Sequence, residues 1–376
     1  MQNRFLKFSG LILFVIFLLL GVLLIGTIVF PQQRVIVPQI SPDLNHLHEP
    51  PLIVSHHFPF EKNTISLTLP VNTSVYEGAK RAEKATTITG NISEHIWLAQ
   101  SYNAIIQDPA QEIFYAAFLA ESEKIRLREK LTDDEYLEFI AVYVQSLRYE
   151  TRDQNLAKFP IETVVDNAGD CDDKSLLLAG LLSRLGYPVA LLLFEPESHM
   201  AVGIGSDDYL YKNTGYAFIE TTNFSFIGVP TDRLGGNLTL YSDPVIFSIS
   251  NGTKFYTKGG ETRYIHEMYE VSGLKVKELE PQVKTMQDDL VFRQEKITRL
   301  ELYMQDLKSQ GNTVSYNTQV PVHNGLVGEY NIHLNMFRQM YASYEKSARL
   351  HNYILEHQYD RKGVYEYLKT NMQSQS

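Results

Sequence analysis

Cysteine is nearly absent from this sequence. Cys171 is the only thiol in 376 residues, which excludes an intrachain disulfide and any cysteine-based zinc site. Tryptophan is equally scarce, and Trp97 reads as a core anchor rather than a binding platform. Positive charge falls short of negative, with 34 Lys and Arg against 44 Asp and Glu. The formal charge of −10 weighs against nucleic acid as a partner. Metal patterns are missing too. Calcium is the one cofactor the aspartates would suit, at Asp170, Asp172 and Asp173 or at Asp207 and Asp208, but no loop carries the twelve-residue EF-hand spacing. His323, His333, His351 and His357 have no ligand partners at metal-binding spacing and read as surface or packing residues.

Only one run is apolar enough to cross a bilayer. Ser9 to Phe30 is unbroken by charge, follows Arg4 and Lys7, and ends at Pro31 with no small-x-small cleavage pattern. An uncleaved single-pass anchor is expected, with the N-terminus in the cytoplasm and the bulk of the chain outside. The N-x-S/T triplets at Asn72, Asn91, Asn223, Asn237 and Asn251 are compatible with glycosylation there. Gln32 to Pro50 reads as an extended linker.

The chemistry centres on Gly169-Asp170-Cys171-Asp172-Asp173-Lys174 and the apolar run to Leu185. The leucines cover most of a helical circumference, so this helix belongs inside a core. Gly186 and Pro188 end it. Cys171 falls in the first turn, where unpaired N–H groups and the helix dipole favour a thiolate nucleophile. A lone cysteine is often a small buried hydrophobe, but three flanking aspartates argue against apolar packing. Those carboxylates also disfavour a thiolate, so the nucleophile needs a cationic partner. His199 supplies a candidate on the strand His199 to Gly205, whose histidine face is otherwise Ala and Gly. Those small residues leave room for another element or a substrate. Glu220 near the end of a strand from Tyr216 to Thr222 completes a Cys-His-acid order. Thr132 and Glu135 form a capping box opening a helix that runs to Leu147. On it, Gln145 is an oxyanion candidate by analogy with papain-like enzymes, against a core-edge role.

These motifs resemble the transglutaminase-like superfamily, of papain-like cysteine peptidase fold, and in particular its membrane-anchored archaeal and bacterial members. The residues carrying the resemblance are Gly169 to Lys174, the His199 to Gly203 strand, Tyr216 to Thr222, Val144 to Tyr149 and Lys158 to Thr163. It spans roughly residues 55 to 235. It implies an α+β core, with the cysteine-bearing helix packed on an antiparallel sheet, and a triad of Cys171, His199 and Glu220. Many members carry Asp where Glu220 stands. The activity implied is acyl transfer through a thioester, to water in a peptidase or amidase acting on a protein or peptide, or to an amine in a cross-linking enzyme.

Beyond Gly260, Val276, Leu279, Val283, Met286, Leu290, Ile297, Leu300, Met304 and Leu307 make a heptad seam. Pro281 is expected to start its regular helix. Gln310 to Gly325 reads as a loop, before a second helix with Leu334, Phe337, Tyr341, Tyr344, Ala348 and Leu355 on one stripe. The expected division is a cytoplasmic tail 1–8, an anchor 9–30, a linker 31–54, a transglutaminase-like domain 55–260 and a helical hairpin or coiled coil 264–376. Self-association through those helices, around a non-catalytic surface scaffold, is the alternative to an enzyme.

Overall fold

The computed structural model describes residue 16 and residues 33–151, 156–230 and 238–373. The apolar stretch from Ser9 to Phe30 lies outside the described residues except for Ile16, as does the triplet at Asn237. Among the described residues, no helix is long and apolar enough to cross a membrane.

The segment read as a linker contains structure. β1 (Arg34–Ile36) pairs antiparallel with β4 (Thr87–Thr89), so the chain here is pinned to the domain rather than free. Between them, β2 (Leu52–Phe60) and β3 (Asn63–Val71) form a hairpin of two nine-residue strands, and alternate residues Ile65, Leu67, Leu69 and Val71 of the second are buried. α1 (Thr73–Arg81) starts at Asn72, whose side chain accepts from Val75 N. Helices α2 (Glu94–Gln107) and α3 (Glu112–Glu129) follow β4. Trp97 on α2 is only half-buried, so it is not the core anchor expected. The aromatic core is built by Phe58, Tyr115, Phe118, Phe139 and Tyr143 instead.

α4 (Asp133–Ser146) begins at the expected capping box, with Thr132 and Glu135 bonded reciprocally. Short strands β5 (Arg148–Tyr149) and β6 (Ala168–Gly169) pair in parallel on either side of α5 (Pro160–Val165). They deliver the chain to α6 (Cys171–Arg184), which packs against α2, α4, α5 and the sheet. Leu176, Leu177, Leu178, Leu181 and Leu182 are fully buried, and removing any one to Ala costs about 2–5 kcal/mol. Gly180 lets α3 approach, because a Cβ there would stand 2.3 Å from the Tyr115 hydroxyl.

The main sheet runs β10–β7–β8–β9 and is antiparallel throughout, with β7 at Val189–Phe194, β8 at His199–Ile204, β9 at Ala217–Ile219 and β10 at Val245–Ser250. An α+β arrangement with a buried helix on an antiparallel sheet is therefore present. β9 is shorter than the sequence pattern suggested, and Glu220 stands just past its end.

The C-terminal region differs from expectation in three ways. α7 (Gly259–Ser309) runs 51 residues straight through Pro281, about 76 Å of helix. Proline removes one backbone bond there, but the helix is already established upstream and packed along its length. α8 (Thr313–Glu356) likewise contains Pro321, so the connection is only Gln310 to Asn312. The Asn312 side chain caps α8 by accepting from Ser315 N. The two helices form an antiparallel hairpin, with cross-links such as Arg293–Glu329 at 3.1 Å and Asp289–His333 at 2.8 Å. Last, α9 (Arg361–Gln373) turns back to the domain. Its Val364 and Leu368 share a buried cluster with Phe226, Val229, Ile265 and Ile354.

Candidate active site

The three aspartates around the thiol divide their labour. Asp170 is the N-cap of α6, and its Oδ1 accepts from Asp172 N and Asp173 N, both at 3.1 Å. Asp173 closes the capping box by accepting from Asp170 N, and its Oδ1 takes Lys158 N at 2.6 Å. Gly169 is required by this knot, since a Cβ there would sit 2.6 Å from Asp173 Cβ. Two of the three carboxylates are thus structural caps. Among the described residues no group of three or more His, Cys, Asp or Glu is arranged to hold a metal ion.

Asp172 is the carboxylate left facing the thiol. The Cys171 thiol donates to Asp172 Oδ1 at 3.5 Å and to Ser198 O at 3.9 Å, while Met200 N–H donates toward the sulfur. Burial pushes the thiol pKa well above its ordinary value, with Asp172 and Asp170 adding to the rise. The helix N-terminus acts in the opposite sense but does not prevail, because two carboxylates and the burial of Cys171, a residue 8 % exposed, outweigh it. The resting thiol therefore keeps its proton, contrary to the thiolate expected from the helix position alone.

His199 is 4 % exposed and Glu220 1 % exposed. His199 Nε2 stands 3.3 Å from Glu220 Oε2. The distance is that of a charge pair, yet neither atom completes an aligned hydrogen bond. A small rotation of the imidazole brings the two atoms into line. Glu220 Oε1 is saturated, accepting from Thr221 N, Thr222 N and the Thr222 hydroxyl at 2.6–2.9 Å. Burial raises the Glu220 pKa, but His199 and Thr222 outweigh it and hold the carboxyl below its usual range.

The structure brings the three residues to one end of β8. Sγ contacts the backbone of both neighbours of His199, and the imidazole faces Glu220. The thiol's own bonds go to Asp172 and Ser198 and not to the ring. Small residues along the His face admit protein, not substrate. A Cβ on Gly203 would meet Tyr216, and one on Gly205 would meet Pro188.

Gln145 is not available as an oxyanion donor. Its Nε2 gives both hydrogens away, to Glu220 O at 2.8 Å and Ser225 O at 3.0 Å. Among the described residues, the Cys171 amide is the first-turn N–H of α6 with no acceptor. The thiol opens on a cavity of ≈ 490 Å³ lined by Tyr149, Leu98 and Leu193, and by the acidic Glu94, Asp170, Asp172 and Glu195. No cation stands among its described lining residues. The phenols of Tyr102 and Tyr149 are pushed up by burial first, then by the negative charge around the thiol. A larger groove of ≈ 590 Å³ lies on the hairpin, remote from this chemistry.

No family model, curated protein or solved structure matches this chain.

Proposed function

We propose that the protein is a transglutaminase-like cysteine hydrolase, cleaving peptide or amide bonds by acyl transfer through Cys171. The observation that carries this reading is the convergence at the end of β8. A sole thiol at a buried helix N-terminus touches the backbone on both sides of a histidine that faces a buried carboxylate.

His199 accepts the thiol proton as Sγ attacks the substrate carbonyl, because the thiol starts protonated. With Nε2 turned to Glu220, the ring nitrogen left for the sulfur is Nδ1. The tetrahedral oxyanion meets the uncommitted Cys171 N–H. His199 then returns the proton to the leaving amine, and the thioester passes to water. Glu220 holds the ring and stabilises the imidazolium without taking the proton. Transfer to an amine, giving a cross-link, uses the same residues and differs only in the second substrate. An anchor at Ser9 to Phe30 would place this activity on an outer cell surface, toward secreted or surface proteins.

A second reading is a surface scaffold that self-associates through its helical hairpin. Half-exposed or exposed apolar residues on α7 and α8, among them Val291, Phe292, Met336 and Tyr341, favour it.

Acetylation by p-nitrophenyl acetate separates the two. The sulfur–acetyl bond forms as the aryl ester breaks and p-nitrophenolate leaves. An enzyme gives a burst that vanishes in Cys171→Ala and falls about 100-fold or more in His199→Ala. Equal, slow release by all three proteins rejects catalysis and leaves the scaffold.

A further inference from the structure

Lys174 stands one turn beyond Cys171 on α6 and is 0 % exposed. A wholly buried ammonium is costly, and burial pulls its pKa down to about 7 against the opposing charge of Glu220. An apolar side chain of similar length would fill the same space at lower cost. What it could not do is donate. Nζ donates to Leu147 O at 2.8 Å, to Gln145 O at 3.1 Å and to Thr222 O at 3.4 Å. The first two carbonyls belong to the open C-terminal end of α4. The third belongs to the segment that carries Glu220.

The next residue works in parallel. Ser175 Oγ donates to Met200 O at 3.1 Å and lies 3.1 Å from Thr221 Oγ1. With the Gln145 amide on Glu220 O, residues 220, 221 and 222 are each tied by a different side chain. Two of those side chains come from the helix that carries the nucleophile. Through Met200 the same helix also holds the residue beside His199.

We propose that Lys174 is a positioning residue for acyl transfer: its ammonium fixes the segment 220–222 against α6, so that the Glu220 carboxylate stands where His199 can reach it. The inference rests on the reading of Cys171 as a nucleophile. A merely structural lysine would close the end of α4 and support stability only. A positioning lysine acts through Glu220, so its removal and the removal of the Glu220 charge cannot add.

The test is a double-mutant cycle on p-nitrophenyl acetate, using the full chain. Lys174→Met is expected to slow acetylation of Cys171 by about 100-fold at pH 6, where the wild-type Lys174 carries its charge. The double variant with Glu220→Gln is expected to be no slower than Glu220→Gln alone. A wild-type rate for Lys174→Met, or losses that multiply in the double variant, overturns the proposal. Should Lys174→Met fail to fold, Ser175→Ala carries the same test, since it removes the parallel ties to Met200 and Thr221. A loss of about tenfold that does not multiply with Glu220→Gln supports the anchored segment, and a wild-type rate overturns it. If the wild type shows no burst dependent on Cys171 and His199, the hydrolase reading and this inference fall together. If the burst is present and unaffected by these variants, only this inference fails.

Discussion

Arg361 donates from Nε to Glu138 Oε1 at 2.6 Å, joining the last helix to α4 across 223 residues of chain. The same guanidinium also reaches Glu261 at the start of α7. Tyr256 OH adds a bond of 2.7 Å to Glu138 Oε1. The C-terminal helix is therefore bound by charge to α4 and to the start of α7, and by Val364 and Leu368 to Phe226, Val229, Ile265 and Ile354.

Removing Arg361 strands a buried carboxylate. Arg361→Leu is expected to destabilise by about 3–5 kcal/mol at neutral pH. Burial holds the Glu138 pKa above its ordinary value, and loss of Arg361 raises it further. A raised carboxyl favours the folded state while protonated, so stability falls as pH rises through the folded pKa. Urea midpoints should show a smaller loss at pH 5 than at pH 8. An equal loss at both would contradict a charged, unpaired Glu138.

The proton on the resting thiol has a kinetic signature. Because the Cys171 pKa is raised, the rate of alkylation by iodoacetamide without substrate should keep climbing through pH 9. A preformed thiolate–imidazolium pair would instead level off near neutrality. Asp172→Asn removes the nearest carboxylate and should speed alkylation at pH 8 by about tenfold, one pKa unit. A rate unchanged or slowed in that variant would show that Asp172 does not hold the proton.

The acid lining of the cavity should select reagents by charge. Cationic 2-aminoethyl methanethiosulfonate is expected to modify Cys171 about tenfold faster or more than the anionic sulfonatoethyl reagent at low ionic strength. That ratio should shrink toward one as salt is added. Stopped-flow rates at two salt concentrations decide it, and a preference for the anion would be incompatible with Glu94, Asp172 and Glu195 lining the cavity.

The hairpin should tolerate shortening where it stands clear of the domain. A Cβ on Gly273 would meet the His351 ring, so these positions face each other near the base. Replacing residues 280–344 by a short Gly/Ser turn leaves Ile265, Ile354, Val364 and Leu368 in place. The shortened protein is expected to melt cooperatively with its acetylation burst intact. Truncation after residue 357 removes Arg361 together with the buried Val364 and Leu368, and should lower the melting temperature by more than Arg361→Leu alone does. If shortening abolishes the burst, the outer hairpin contributes to the site. If it also converts an oligomer into a monomer, the apolar stripe on α7 and α8 is what held the copies together.

What could be read from the chain was local. The Thr132 capping box, the leucine helix after Cys171 and the alternating β8 are written within a few residues of themselves. Cys171, His199 and Glu220 could be singled out as candidates because their types and order fit one chemistry, and the structure places them at one end of β8. The role of Gln145 was not legible, since its amide goes to carbonyls 75 and 80 residues away, and no local pattern encodes that. The aspartates looked alike in sequence, and only the helix start sorts caps from the one beside the sulfur. Pro281 as a helix start, and Gln310 to Gly325 as a loop, misled because packing along a long hairpin overrides local propensity. The role of Lys174 was hidden for the same reason as that of Gln145: three acceptors from two distant segments.

Cys171 is also the sole sulfhydryl of the chain. Were peroxide to convert it to a sulfenic acid, no second cysteine would stand ready to condense with it. Recovery would depend on a small thiol entering from solvent, and further oxidation to the sulfinic state would be permanent.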